Sequence, residues 1–160
     1  MKQMTENLTL YLGADHRGFE LKEQLKAWLE QKEKLAIVDC GNTVYDPKDD
    51  FPDYALMVAE KVAQTKDDAR ARGIVICGSG VGASIAANKV NKAYASMALS
   101  PAGVKHATER DGLNVLVLSA DETSLKQAQA LIKAFLESKS KNKTRFVRRR
   151  HKIKQYEAQT

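Results

Sequence analysis

The chain has 160 residues, with 26 basic and 20 acidic side chains, three histidines and two cysteines. That length fits one domain with a full core rather than two. No apolar run approaches the ~20 residues needed to cross a bilayer, and Cys40 and Cys77 frame neither a disulfide scaffold nor a zinc site. The net charge of +6 belongs to one end. Residues 139–160 hold nine basic side chains against Glu157, leaving 17 basic and 19 acidic residues elsewhere, a net of −2. A general nucleic-acid face is thereby disfavoured. The opening stretch, MKQMTENLTLYLG, is too polar for a secretory signal, so a cytoplasmic, reducing setting is expected.

In chain order, residues 1–7 read as loosely ordered and LTLYLGA (8–14) as a buried strand. GFELKEQLKAWLEQ (18–31) reads as a helix, with Leu21, Leu25, Trp28 and Leu29 on one face. LAIVDCG is a second strand, and TVYDPKDDFPDY a loop by its Pro and Asp content. A helix is expected from Tyr54 to about Thr65, a strand over RGIVICG, and a helix from Val81 to about Asn91. YASMALS is a fourth strand. Pro101 opens a helix carrying His106 and Arg110 on one face. NVLVLS is the fifth strand, followed by a helix from Ser124 to about Glu137. Residues 138–144 read as a hinge, with Lys139 to Lys143 solvated. A basic helical extension ends near Tyr156.

Strands alternating with helices imply a parallel sheet covered on both faces, and the near-continuous apolar strands require that two-sided burial. The expected fold is a single Rossmann-like α/β three-layer sandwich over 1–160, with a five-stranded parallel sheet. In such sheets ligands sit beyond the carboxyl ends of the strands. GADHRG after the first strand and CGSGVG after the third are the chemically loaded ends.

Gly78-Ser79-Gly80-Val81-Gly82-Ala83 matches a loose dinucleotide pattern, G-x-G-x-x-A. It follows the third strand rather than the first, however, and no acidic residue lies between Lys89 and Thr108 to grip a ribose. No Gly-Lys-Ser/Thr follows, which excludes a P-loop. One glycine suffices for a tight turn. Three in alternation also bare a row of backbone N–H groups, a nest suited to phosphate or a developing oxyanion. Cys77 at its mouth is either an inert core thiol or one whose pKa the nest lowers toward reactivity. Asp15 either caps the following helix or converges with His16 on the same site.

GADHRGFELK, DFPDYA and GIVICGSGVGASIAANK resemble the signature segments of type B ribose-5-phosphate isomerases and the related galactose-6-phosphate isomerases, in register from about Leu8 to Glu157. The resemblance implies an aldose–ketose isomerase of sugar phosphates that needs no cofactor and no metal. It also implies a homodimer or homotetramer whose sites are shared between subunits. It assigns Cys77 as the base moving a proton through an enediolate. Ser79 and the backbone N–H groups of Gly78, Gly80, Val81 and Gly82 become the oxyanion loop. Asp15, His16 and Tyr45 become substrate contacts, and Arg145 and Arg149 a phosphate grip.

Two positions depart from the family's pattern. Arg110, with Asp111 beside it, stands where a ring-opening histidine is expected, and an arginine cannot act as a general base. Asp121 stands where many members carry a phosphate-binding arginine supplied by the neighbouring subunit. His106, one turn before Arg110, is a candidate to take over ring opening. The alternatives are a phosphosugar-binding protein with an altered substrate or lost activity and, with least support, nucleic-acid association through the basic tail.

Overall fold

The computed structural model describes residues 8–65 and 70–159, so the loose leader expected over residues 1–7 lies outside the described residues. Five strands, β1 (Leu8–Ala14), β2 (Leu35–Gly41), β3 (Ala71–Cys77), β4 (Ala95–Met97) and β5 (Val115–Ser119), form one parallel sheet in the order β2-β1-β3-β5-β4. Helices α1 (Phe19–Leu29), α2 (Phe51–Gln64), α3 (Val81–Ala87), α4 (Pro101–His106), α5 (Leu125–Glu137) and α6 (Thr144–Glu157) complete the chain. The expected α/β three-layer architecture is what the chain adopts.

Because strand side chains alternate between faces, β3 and β5 feed two separate cores. Ile74, Ile76, Leu116 and Leu118 pack with α1, α4 and α5 on one side. Val75, Cys77, Val115 and Val117 pack with α2 and α3 on the other. Every residue of β3 and β5 is buried, as strands covered on both faces require.

Two cations are buried with the core. Lys22 is fully buried, with Nζ 2.9 and 2.8 Å from the two Asp39 oxygens and 2.8 Å from Glu23. Burial alone would raise the Asp39 carboxyl, but the ammonium groups of Lys22 and Lys26 and the Gly41 N–H hold it below the ordinary value. Arg72 donates to the carbonyls of Leu113 and Ser138, tying β3 to the lead-in of β5 and the end of α5. Burial pushes its guanidinium down to about 10.

Several element boundaries differ from expectation, each for a local reason. Helix α2 starts at Phe51 rather than Tyr54, since Pro52 fits the first turn, where no N–H is needed. Helix α3 stops at Ala87 rather than near Asn91, because the Asn88 side chain bonds both the Ser84 carbonyl and the Ala95 backbone. β4 spans three residues rather than seven, and Leu99 beyond it is almost fully exposed. The helix opened by Pro101 turns π-helical over Ala107–Asp111 and ends at Gly112, whose φ of 80° is the left-handed conformation glycine tolerates.

The segment before α6 is pinned rather than simply solvated. Lys141 pairs with Glu109 at 2.7 Å, and its backbone N–H donates to the Glu109 carbonyl. Phe146 is the buried residue of α6, with the Arg110 and Arg145 guanidinium groups over its ring at 5.9 and 5.1 Å. Arg150 donates to the carbonyls of Arg110 and Lys141. Phe146→Ala is therefore expected to cost about 3 kcal/mol, measured by urea denaturation, and to release α6 to proteolysis before the rest of the chain unfolds.

Candidate active site

The sheet order makes β1 and β3 neighbours, with Ala14 opposite Ile76, while the chain leaves them toward opposite sides of the sheet. This is the switch point where a crevice opens in α/β sheets. The 15–18 turn and the 78–82 loop emerge there side by side.

Cys77 ends β3 with 4% of its surface exposed. Its Sγ accepts the Gly80 N–H at 3.2 Å. Gly80 has φ 81°, and its α-hydrogen faces Met97 so closely that a Cβ would lie 2.6 Å from the sulfur. On the other flank a Cβ at Gly82 would lie 2.5 Å from the Phe51 ring. The loop is thus clamped between Met97 and Phe51, a second reason for its glycines besides the bared amides. Two of those amides are turned inward: Gly80 onto the thiol, and Val81 onto Ser79 Oγ at 3.3 Å.

The expected depression of the Cys77 pKa does not occur. Burial pushes the thiol up, and the charges of Asp15 and Asp121 push the same way. The N–H groups of Ala83 and Gly80 oppose them without winning.

Asp15 is buried, and its Oδ1 accepts N–H groups from Arg17 and Gly18 at 3.0 Å each, so it does tie the turn into α1. Burial raises its carboxyl despite those bonds. His16 donates its backbone N–H to Asp49 Oδ1 at 2.8 Å, and its ring Nδ1 lies 2.8 Å from the same oxygen. The Asp49 side chain is only 5% exposed and also accepts from Asn42 Nδ2 at 3.1 Å and from the Tyr54 hydroxyl. Tyr54 is pushed up to about 12 by burial and by the Asp49 charge. Tyr45, in the same loop, is 56% exposed and sets its ring edge-on to Phe19, with centroids 5.9 Å apart.

Asp121 is held beside Gly78 of its own chain, its N–H donating to the Gly78 carbonyl at 3.1 Å. Asp121, at the position where many members carry a phosphate-binding arginine, pairs with Arg17 of its own chain at 2.5 Å. His106, Arg110, Asp111, Arg145 and Arg149 do not join Cys77. Gly112 leads into the amino end of β5, opposite Gly73, whereas Cys77 lies opposite Ser119 at its carboxyl end. Four strand residues, about 13 Å, separate the two levels. At the amino end, His106 Nε2 lies 3.5 Å from Arg110 Nη2, and Arg110 shares the Phe146 ring with Arg145.

Sequence reasoning missed Arg17, Asn42 and Asp49. Asp49 stands in a run with Asp46 and Asp50, and nothing in the run marks which carboxylate turns inward. A cavity of about 260 Å³ opens between β5, α5 and the end of β4, bounded by Leu99, Pro101 and Leu131, and meets the loop only through Met97 and Ser119. Among the described residues no three His, Cys, Asp or Glu side chains gather as a metal site, and no helix is long and apolar enough to cross a membrane.

Hydrogen bonding to Asp49 raises His16 above the ordinary 6.5, with help from the Asp15 charge and against partial desolvation. Burial pulls Asp49 upward, but the bonds from His16, Asn42 and Tyr54 hold it below 3.8. The stability from His16 is full below 6.5 and is lost as pH rises through its raised pKa; that from Asp49 is present above 3.8 and is lost as pH falls through its lowered pKa. In an NMR titration of the imidazole, Asp49→Asn is expected to drop the His16 midpoint toward 6.5 or below. An unchanged midpoint would rule the pair out as the cause.

Residues 10–153 match the model of the Ribose/Galactose Isomerase family. A probable ribose-5-phosphate isomerase B of Mycoplasma genitalium is 35% identical over 96% of this chain and 99% of its own. The solved structure of the Mycoplasma genitalium isomerase B with bound ribulose-5-phosphate superposes with a TM-score of 0.89 at 34% identity, covering 97% of this chain and 99% of that one. A D-erythrulose-4-phosphate isomerase 2 of Mycolicibacterium smegmatis is 35% identical over 81% of this chain and 84% of its own. With a parallel five-stranded sheet, a clamped glycine loop at its switch point and these likenesses along nearly its whole length, the chain belongs to the ribose/galactose isomerase family.

Proposed function

We propose that the chain is an aldose–ketose isomerase interconverting ribose 5-phosphate and ribulose 5-phosphate. The observation that carries the reading is the Cys77 thiol at the β1/β3 crevice, bonded by a loop amide and flanked by the 15–18 turn. In the open-chain aldose, the Cys77 thiolate takes the proton from C2. The C–H electrons form the C1=C2 bond, and the carbonyl electrons move onto O1. The Ser79 hydroxyl, with the loop N–H groups other than those of Gly80 and Val81, faces that developing charge. The proton on O2 passes to O1, and the thiol returns its proton to C1, leaving the ketone at C2. Asp15 and His16 hold hydroxyl and phosphate oxygens.

Because burial raises the thiol, the free enzyme holds little thiolate at neutral pH. kcat/KM is expected to climb with pH through the alkaline range rather than level off near neutrality. Cys77→Ala is expected to abolish exchange of the C2 proton with solvent while calorimetry still detects ribose 5-phosphate. Unchanged isomerisation in that variant would remove Cys77 from the mechanism.

The reading requires a second copy of the chain, because α6, which carries Arg145 and Arg149, packs at the amino end of its own sheet. A partner whose α6 faces the crevice supplies them, and the exposed Val81 and Ile85 beside the loop offer apolar surface for it. Mixing Cys77→Ala protein with Arg149→Ala protein, after subunit exchange, is expected to restore about a quarter of wild-type activity, since half the dimers are mixed and each holds one intact site. No recovery would exclude sites shared in this way.

Arg110 favours a second reading. Without a base for ring opening, a substrate that never closes a furanose ring suits the site better. A tetrose 4-phosphate is one, because its O4 is esterified. Turnover of erythrose 4-phosphate well above that of ribose 5-phosphate selects this reading. Loss of ribose 5-phosphate turnover in His106→Ala, with tetrose turnover kept, assigns ring opening to His106. Binding of both sugars without turnover of either favours a phosphosugar-binding protein instead.

A further inference from the structure

Arg17 lies in the turn between β1 and α1, directly after His16. Its Nη2 reaches Asp121 Oδ1 at 2.5 Å, bridging the ends of β1 and β5 across the β3 loop between them. The pair lies over Gly78: a Cβ there would meet Asp121 Oδ2 at 3.3 Å and Arg17 Nε at 3.5 Å. The two side chains are 56% and 44% exposed. An ion pair that open to water contributes little to folding, yet this one fills the space above the residue adjoining the proposed base.

We infer that Arg17, held by Asp121 across Gly78, is a substrate-binding residue that grips the phosphate of the sugar. The inference rests on the reading of this crevice as a phosphosugar site. Two observations set the direction. The thiol is nearly closed off, whereas the guanidinium sits on the solvent-facing rim. The uncharged carbonyl end of a sugar phosphate, where the proton moves, belongs beside the thiol in the depth, and its dianion fits the rim. Asp121 engages one guanidinium nitrogen, and a guanidinium has five N–H donors in a fixed fork. Holding Nη2 fixes the plane in which the rest are presented. Arg17 also offsets a carboxylate, Asp121, that would otherwise repel the incoming dianion, in a crevice that also holds the carboxylates of Asp15 and Asp49.

The test is direct binding of ribose 5-phosphate by calorimetry, with kinetics alongside. Arg17→Ala is expected to weaken Kd and raise KM about 10- to 100-fold, as loss of a charge-assisted contact implies, with kcat changed less than about threefold because the contact is made equally in ground and transition states. Arg17→Lys falls between the two. Adding Asp121→Arg to Arg17→Ala returns a cation to the rim and recovers most of the affinity. A Kd for Arg17→Ala within twofold of wild type overturns the inference, as does a fall in kcat with Kd unchanged. Thermal denaturation of each variant checks that the fold is intact, and failure of Asp121→Arg to restore affinity to a folded Arg17→Ala chain also counts against it. Binding by the wild type without turnover would sink the isomerase reading while leaving the Kd comparison to decide on Arg17.

Discussion

The register of β3 between β1 and β5 is the constraint on which the rest of the molecule depends. Pairing Ala14 with Ile76 and Cys77 with Ser119 brings three loops to one level at the carboxyl edge. The opposite exits of β1 and β3 keep that level open. Alternation along β3 then sends Cys77 to the α2/α3 side, beneath the loop it begins. A slip of one residue would exchange Cys77 with Ile76 across the sheet and destroy both cores at once. The site is therefore as rigid as the sheet. The loop inherits that rigidity through Met97 on one flank and Phe51 on the other.

Within this frame the carboxylates are sorted by what surrounds them. Asp15 and Asp49 both lie close to His16, yet their pKa values move in opposite directions. Asp15 is sunk in the turn with two backbone donors, and burial wins. Asp49 collects the His16 ring and backbone, Asn42 and Tyr54, and hydrogen bonding wins. The lasting negative charge thus stands behind His16, favouring an imidazolium that faces an anion. The cost falls on Cys77, which meets the fields of Asp15 and Asp121 as well as its own burial. A thiol in that setting rests protonated.

Much of this was legible in the chain. Five apolar runs separated by amphipathic segments dictate a two-sided parallel sheet, and the glycine loop after a cysteine marks the loaded end. Local competition was less legible. Asn88 ends α3 by bonding across to Ala95, a partner seven residues on that periodicity does not register. The nest's electrostatics were read from the loop alone, whereas the thiol pKa is set by burial and by carboxylates from two other strand ends. Arg17 drew no role from the sequence, because its partner is 104 residues away. Asp121 reads from the sequence as a lost cation, and its pairing with Arg17 follows only from the sheet order, which sets the ends of β1 and β5 on either side of β3.

Charge is distributed unevenly between the two ends of the sheet, and this bears on the proposed partnership. Asp15, Asp49 and Asp121 gather at the carboxyl edge, where Arg17 and His16 are the cations that answer them. Arg110, Arg145 and Arg150 gather at the amino edge around Phe146 and the π-turn. In one isolated chain, a phosphosugar dianion beside Cys77 would have the carboxylates of Asp15, Asp49 and Asp121 set against the cations of Arg17 and His16. A two-fold axis that sets the amino edge of one copy against the carboxyl edge of the other changes that balance at both sites simultaneously, because an isologous contact repeats every pairing. In the dimer proposed above, association would do electrostatic as well as apolar work: it would bring to each crevice guanidinium groups that its own fold places about 13 Å or more away. On this view the basic tail is not a nucleic-acid arm but the half of a sugar-phosphate site that the chain builds for its neighbour.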